Sequence, residues 1–188
     1  MSAFCQSYAD RLSSVLAATD WSPVEQLAEE CRRLIREGKQ LYICGNGGSA
    51  GNAMHLANDY LYGVSPKQAK ALRVEALSAN SAVLTCLGND LGYAEIFARQ
   101  LEVKGNSGDV LLVLSGSGNS PNILRALEVA KAKGMVSYAL LGYSGGKAKA
   151  MADVAIHFPL DDMQIAEDLQ LIVGHMLMRL LNDEGMAC

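Results

Sequence analysis

The stretch Asp109-Val110-Leu111-Leu112-Val113-Leu114-Ser115-Gly116-Ser117-Gly118-Asn119-Ser120-Pro121-Asn122 decides the fold. Five apolar residues in succession, Val110 to Leu114, leave no polar face, so they form a strand buried on both sides of a sheet. The run then breaks into three serines and two glycines, and Pro121 opens a helical pattern that reaches about Lys133. Strand, Gly/Ser loop and helix start, in that order, make an anion cradle. Backbone N–H groups, hydroxyls and the positive end of a helix dipole can converge on one phosphate. The bland alternative is an ordinary loop with Ser as N-cap before Pro, and only the strand–loop–helix context separates the two.

A second loop of the same kind lies upstream. Gln40 to Cys44 is a short apolar strand, followed by Gly45-Asn46-Gly47-Gly48-Ser49 and a helical run from near Ala50 to about Leu61. Two such loops lie at the same carboxyl edge of a parallel sheet, where α/β folds bind ligands. The rest of the pattern is consistent. Helices are expected at Ala3–Ala18 and Pro23–Glu37, the second capped by Ser22 with Pro23 at its first position. A strand at Leu72–Ala76, helices at Ser81–Leu87 and Tyr93–Val103, strands at Val136–Leu141 and Val154–Phe158, and a long helix from about Gln164 to Asn182 complete the chain. No low-complexity linker divides it. The expectation is one α/β domain over residues 1–188, a three-layer sandwich on a central parallel sheet, with residues 1–38 as an N-terminal helical segment.

Composition narrows the function. The 188 residues are 50% apolar and 19% charged, enough for a full core. A formal net charge of -4 and a pI near 5.4 provide no electrostatic footprint for nucleic acid. The apolar stretches are strand-length or amphipathic, and the N-terminus lacks the basic-then-apolar pattern of a secretion signal. A cytoplasmic protein that neither binds nucleic acid nor enters a membrane is expected. Five scattered cysteines, Cys5, Cys31, Cys44, Cys86 and Cys188, include no Cys-x-x-Cys pair and are expected to be reduced thiols, mostly packed. Cys44, beside the first glycine loop, is the one with a functional alternative.

Polar residues on two helices suggest chemistry. His55 and Asp59 are four apart and share a face; Glu167 and His175, eight apart, return to a similar azimuth on the last helix. Taken singly, each suits a hydrogen-bonded or solvated residue. Yet two of the three histidines fall in these pairs, and His157, in the last strand, suits a structural role. Two imidazoles and two carboxylates brought together would make both a ligand set for a zinc-like ion and an acid/base set.

The motifs Cys44-Gly45-Asn46-Gly47-Gly48-Ser49, Met54-His55, Gly88-Asn89-Asp90, Ser115-x-Ser117-Gly118-Asn119-Ser120 and Gly174-His175 resemble the sugar isomerase (SIS) domain family. More narrowly they resemble its phosphoheptose isomerases, which convert sedoheptulose 7-phosphate to D-glycero-heptose 7-phosphate for bacterial surface sugars. The likeness spans nearly the whole chain, with the motifs in the family's order. It implies a flavodoxin-like fold, a phosphorylated sugar substrate, one zinc per chain, and a homotetramer with active sites between subunits. It places the phosphate loop on Ser115, Ser117 and Ser120, with Gly116 where the isomerases usually have Thr. Asn46, Gly47 and Gly48, with Ser49 in the same loop, and Asn89 and Asp90 match positions that hold substrate. His55 matches a zinc ligand, and His175 both a zinc ligand and a catalytic acid/base.

The remaining positions depart from the family. Asp59 stands where the isomerases typically have Glu, and Glu167 where they have Gln; both are implied metal ligands and catalytic groups, and Glu167 also a substrate contact. Gly63 replaces an Arg and Gln164 an Asp. Asp is one methylene shorter than Glu and withdraws a base by about 1.5 Å, which Glu167 can offset by acting as the base itself. The leading expectation is an aldose–ketose isomerase working through an enediol. The alternatives are an isomerase or epimerase of another phosphosugar, and a non-catalytic SIS protein of the type that binds a replication initiator. Relatives of that last type tend to lack the catalytic carboxylate and the last-helix His, which this chain keeps.

Overall fold

The apolar run becomes strand β3 (Val110–Ser115), the middle strand of one sheet and buried along its whole length. The computed structural model describes residues 2–64 and 71–182. Around β3 stand β1 (Gln40–Gly45), β2 (Arg73–Ala76), β4 (Val136–Leu141) and β5 (Val154–His157), all parallel, in the order β2-β1-β3-β4-β5. Alternation along the strands divides the core in two. Ile43, Leu112, Leu114 and Leu140 face one layer, while Cys44, Leu111, Val113 and Leu141 face the other. Covering both faces with apolar side chains is what a continuous Val/Leu run requires, at roughly 1.5–3 kcal/mol for each fully buried large side chain.

Helices α1 (Ser2–Ala18), α2 (Ser22–Glu37), α3 (Gly48–Asn58), α4 (Ser81–Asp90), α5 (Ala98–Lys104), α6 (Pro121–Ala132), α7 (Ala148–Met151) and α8 (Met163–Asn182) fill the outer layers. α2, α3 and α8 pack on one face of the sheet; α5, α6 and α7 pack on the other. Tyr93–Glu95 forms a 3-10 turn, so the helix expected from Tyr93 to Val103 is two pieces. Ser22 does not cap α2. It lies inside the helix, and Asp20 accepts from its backbone N–H and its hydroxyl. None of the described helices is long and apolar enough to cross a membrane.

The order places β1 and β3 side by side, with the chain leaving β1 toward β2 and leaving β3 toward β4. A doubly wound sheet opens a crevice at this reversal, at the carboxyl ends of the two strands. Both Gly/Ser loops leave the sheet there, since Gly45 pairs with Leu114.

α3 and α8 run parallel. Gly48 meets Glu167, Asn52 donates to Gln170 Oε1 and the Glu167 carbonyl, and Leu56 meets Gly174. Beyond Asn58, α3 continues as a π-helical turn, Asp59–Gly63. Such turns are rare and often lie at functional positions. The buried Tyr60 in this turn donates its hydroxyl to the Gly174 carbonyl at 3.0 Å and locks the turn to α8.

Candidate active site

A cavity of about 250 Å³ opens in the crevice, lined by Asn46, Gly47, Gly48 and Ser49 from the first loop and by Ser115, Gly116, Ser117 and Ser120 from the second. Met163 and Glu167, one turn apart at the start of α8, close its side. Ser115 Oγ accepts from Gly118 N–H at 3.0 Å, and Ser117 Oγ accepts from Asn119 N–H at 3.3 Å, so two hydroxyls shape the loop they belong to. Ser120 occupies the N-cap of α6 without a side-chain cap bond, which leaves its hydroxyl for a ligand. Gly118 has φ +65°, and a Cβ there would collide with the Gly145 carbonyl, so only glycine lets the loop close this tightly.

The positions of the other sequence-derived residues differ. At Gly116 the space of a side chain is filled by Met163, whose Sδ would lie 2.6 Å from an added Cβ. Glu167 brings its carboxylate over Gly48, where an added Cβ would stand 2.5 Å from Oε1, at the positive end of the α3 dipole. Ser49 lines the cavity, but its Oγ accepts from Gln170 Nε2 at 2.9 Å. Asn89 and Asp90, in the last turn of α4, bond to each other and are exposed; they are not among the cavity-lining residues. A wider groove of about 560 Å³ beneath α1 is lined by Gln6, Asp10 and Arg11 among others, and by none of the residues that the motifs single out.

Further along the same two helices, His55, Asp59 and His175 converge. The two Nε2 atoms are 3.0 Å apart, and Asp59 Oδ2 lies 3.3 Å from His55 Nε2 and 3.5 Å from His175 Nε2. The rings meet edge to face. The two imidazole nitrogens and the carboxylate oxygen lie close enough together to hold one cation. Nitrogens bound to tetrahedral zinc at about 2.0–2.1 Å stand roughly 3.3 Å apart, close to what is found. His55, Asp59 and His175 are therefore three groups that could hold a metal ion.

Glu167 is not in this group. Eight residues of helix at about 1.5 Å each separate it from His175 by roughly 12 Å, so a shared azimuth does not make shared ligation. The four-residue set expected from sequence is thus a three-residue group and a separate cavity carboxylate.

The remaining candidates are structural. His157 Nε2 lies 3.0 Å from the Tyr143 carbonyl. Cys44 is fully buried, and burial pushes its thiol far above the ordinary range, so it stays neutral. Cys188 lies outside the described residues.

Asn122 is the residue that the motifs did not flag. It pairs through its side-chain amide with Asn46 across the two loops. Its signal in sequence was only an Asn following Pro at a helix start, a common surface residue.

Comparison with known proteins bears on the fold and the family. Residues 3–142 match the SIS domain model. The phosphoheptose isomerase of Rhodospirillum rubrum is 39% identical over 182 residues, covering 96% of this chain and 95% of that one. That of Helicobacter pylori is 44% identical over 144 residues, covering 77% and 74%. The structure of a phosphoheptose isomerase from Neisseria gonorrhoeae superposes with a TM-score of 0.87 at 29% identity, covering 97% of each chain. With the family model over most of its length and such relatives along nearly all of it, the chain belongs to the SIS domain family, among the phosphoheptose isomerases.

Proposed function

We propose that this protein interconverts sedoheptulose 7-phosphate and D-glycero-heptose 7-phosphate. The observation that carries this reading is an anion cavity and a His/Asp/His group set along one helix pair. From Gly48 to His55 is seven residues, about 10 Å of helix. Six carbon–carbon bonds of about 1.5 Å extend to roughly 8 Å, so a heptose held by its phosphate in the serine loop reaches the group with its first two carbons. A purely binding relative would have no use for the second half of this arrangement.

Asp59 takes the proton from C1 of the ketose and returns it to C2, and His175 moves a proton from O1 to O2, which leaves the aldehyde at C1. Their separation of 3.5 Å suits a pair working on adjacent atoms. Zinc is the alternative occupant of the same three groups: held by His55, Asp59 and His175, it would polarise the substrate oxygens in place of proton transfer by His175. Glu167, at the cavity end, accepts hydrogen bonds from sugar hydroxyls, and its distance along α8 favours Asp59 as the base. The phosphate anchor fixes the reacting carbons against Asp59 and His175.

His55 and His175 are about half exposed, and Met54, Leu61, Tyr62 and Met176, on the same helices or the π-helical turn after α3, are exposed too. We infer that further copies of the chain cover this face, in a homotetramer with active sites at the subunit contacts. The cytoplasm is the compartment that suits reduced thiols and a metabolic phosphosugar.

Proton exchange tests the function directly. Sedoheptulose 7-phosphate in deuterated water should acquire deuterium at C2 of the aldose product, and elemental analysis should find about one zinc per chain. A protein that binds the sugar without exchange, with or without zinc, would be a binding protein instead.

A further inference from the structure

The amides of Asn46 and Asn122 face each other across the crevice. Asn46 Nδ2 donates to Asn122 Oδ1 at 2.9 Å, and Asn122 Nδ2 donates to Asn46 Oδ1 at 2.8 Å. The Tyr93 hydroxyl donates to Asn46 Oδ1 at 3.0 Å. The pair is self-complementary, because turning both amides over preserves both bonds. Asn122 is only 1% exposed. An Asn in the first turn of a helix ordinarily bonds to nearby backbone or to water, whereas this one directs its amide to the other loop.

An amide offers two lone pairs and two hydrogens. Asn46 uses three of the four on Asn122 and Tyr93, so it has little left for a ligand although it lines the cavity. We propose that Asn122 is a positioning residue that, through Asn46, holds the glycine loop at a fixed distance from the serine loop and so sets the width of the sugar-binding cavity. The two loops leave neighbouring strands, and Gly45 pairs with Leu114 as the last rung of that ladder. Beyond it the strand pairing ends, and the Asn46–Asn122 amide pair bridges the two segments by side chains. Tyr93, on the 3-10 turn after α4, holds the bridge from outside and is itself largely exposed. A cavity wall made of Gly47 and Gly48 has no side chains to brace it. The bridge supplies that bracing from one residue away.

The proposal rests on the cavity being the sugar-phosphate site, and the experiment separates the two. Asn122→Ala, Asn46→Ala, the double variant and Tyr93→Phe are compared with wild type for affinity toward sedoheptulose 7-phosphate and toward inorganic phosphate, by calorimetry. Amide hydrogen exchange over residues 46–49 is measured without ligand. Loss of the bridge should weaken heptulose phosphate about tenfold, with inorganic phosphate changed by less than about twofold because the serine loop is intact. The double variant should be no worse than the worse single one, since both remove the same interaction. Tyr93→Phe, at an exposed position, should fold normally and show a smaller change in the same direction. In turnover the loss should appear in KM, with kcat within about threefold, because Asp59 and His175 are not displaced. Exchange over 46–49 should accelerate at least about tenfold in Asn122→Ala.

Equal weakening of both ligands would mean that Asn122 merely supports the serine loop, and multiplying effects in the double variant would mean that the two amides act separately; either overturns the proposal. So does unchanged exchange in folded Asn122→Ala. If wild type binds phosphate but not the heptulose, the substrate assignment fails, and the exchange experiment alone decides the bridge. If Asn122→Ala does not fold, Asn46→Ala and Tyr93→Phe decide it, and unchanged heptulose affinity and loop exchange in both overturn it.

Discussion

Gly174 of α8 lies against Leu56 of α3 so closely that an added Cβ would stand 2.7 Å from Leu56 Cδ1. The next residue on α8 is His175, and the preceding one on α3 is His55, so this helix contact brings the two imidazoles together. Gly174→Ala should therefore cost about 1–3 kcal/mol of stability through overpacking and should also separate the histidines. Urea unfolding and zinc titration check both effects. Wild-type zinc uptake in a destabilised Gly174→Ala protein would show that the histidines tolerate the displacement.

Replacing Ser117 and Ser120 together by Ala should weaken phosphosugar binding by roughly 2–3 kcal/mol, since each hydrogen bond to a charged group contributes about 1.5 kcal/mol or more. Ser117 also accepts from Asn119 N–H, so Ser120→Ala alone is the cleaner probe, with no internal bond to lose. Calorimetry with unchanged affinity in both proteins would remove the loop from the site.

Asp59→Asn should abolish deuterium exchange at carbon and reduce zinc uptake. Glu167→Gln should keep exchange and raise KM, because it retains an acceptor in the cavity while losing the charge. If Glu167→Gln abolishes exchange in a protein that still binds sugar and zinc, Glu167 is the base, and it reaches the reacting carbons from a neighbouring copy.

The attachment of α1 depends on pH at both extremes. Asp162 accepts from Ile165 N–H at the start of α8 and pairs with Arg11 of α1; the amide first, and the arginine with it, hold its carboxyl below the usual 3.8. A depressed carboxyl stabilises the fold above its ordinary value and loses that contribution as pH falls through its folded value. Tyr8, donating to Asp168, is raised from 10.0 to about 12, so its contribution is complete below about 10 and is lost as pH rises through 12. The single tryptophan, Trp21, packs on Phe158 at the α1–α2 junction. Its fluorescence should change below about pH 4, and Asp162→Asn should remove the acid step that Asp162 contributes.

The sheet was legible in the chain because its signals are local. The run 110–114 could only be a strand covered on both faces, and Pro121 after a Gly/Ser loop could only begin a helix. The joining of His55 to His175 was legible only through the family resemblance, since it depends on the Gly174–Leu56 contact and the Tyr60 bond, and no periodicity records which helices lie together. Glu167 and His175 share an azimuth that can be counted along one helix, whereas the roughly 12 Å of rise between them matters only once the partner helix is in place. Asn122 carries no local signal for a similar reason: its partner, Asn46, lies in a distant part of the chain.

The parallel order β2-β1-β3 also governs when the site comes into being. Leu41 must find Val110 before either pocket loop has its neighbour, and everything between them in sequence, including α3, β2, α4 and α5, has to be enclosed by that closure. Such long-range pairing is slow, and it leaves any partly folded chain without a cradle. Inorganic phosphate should accordingly do little to the rate of folding while it slows unfolding, as expected of a ligand that finds its contacts only after the barrier has been crossed.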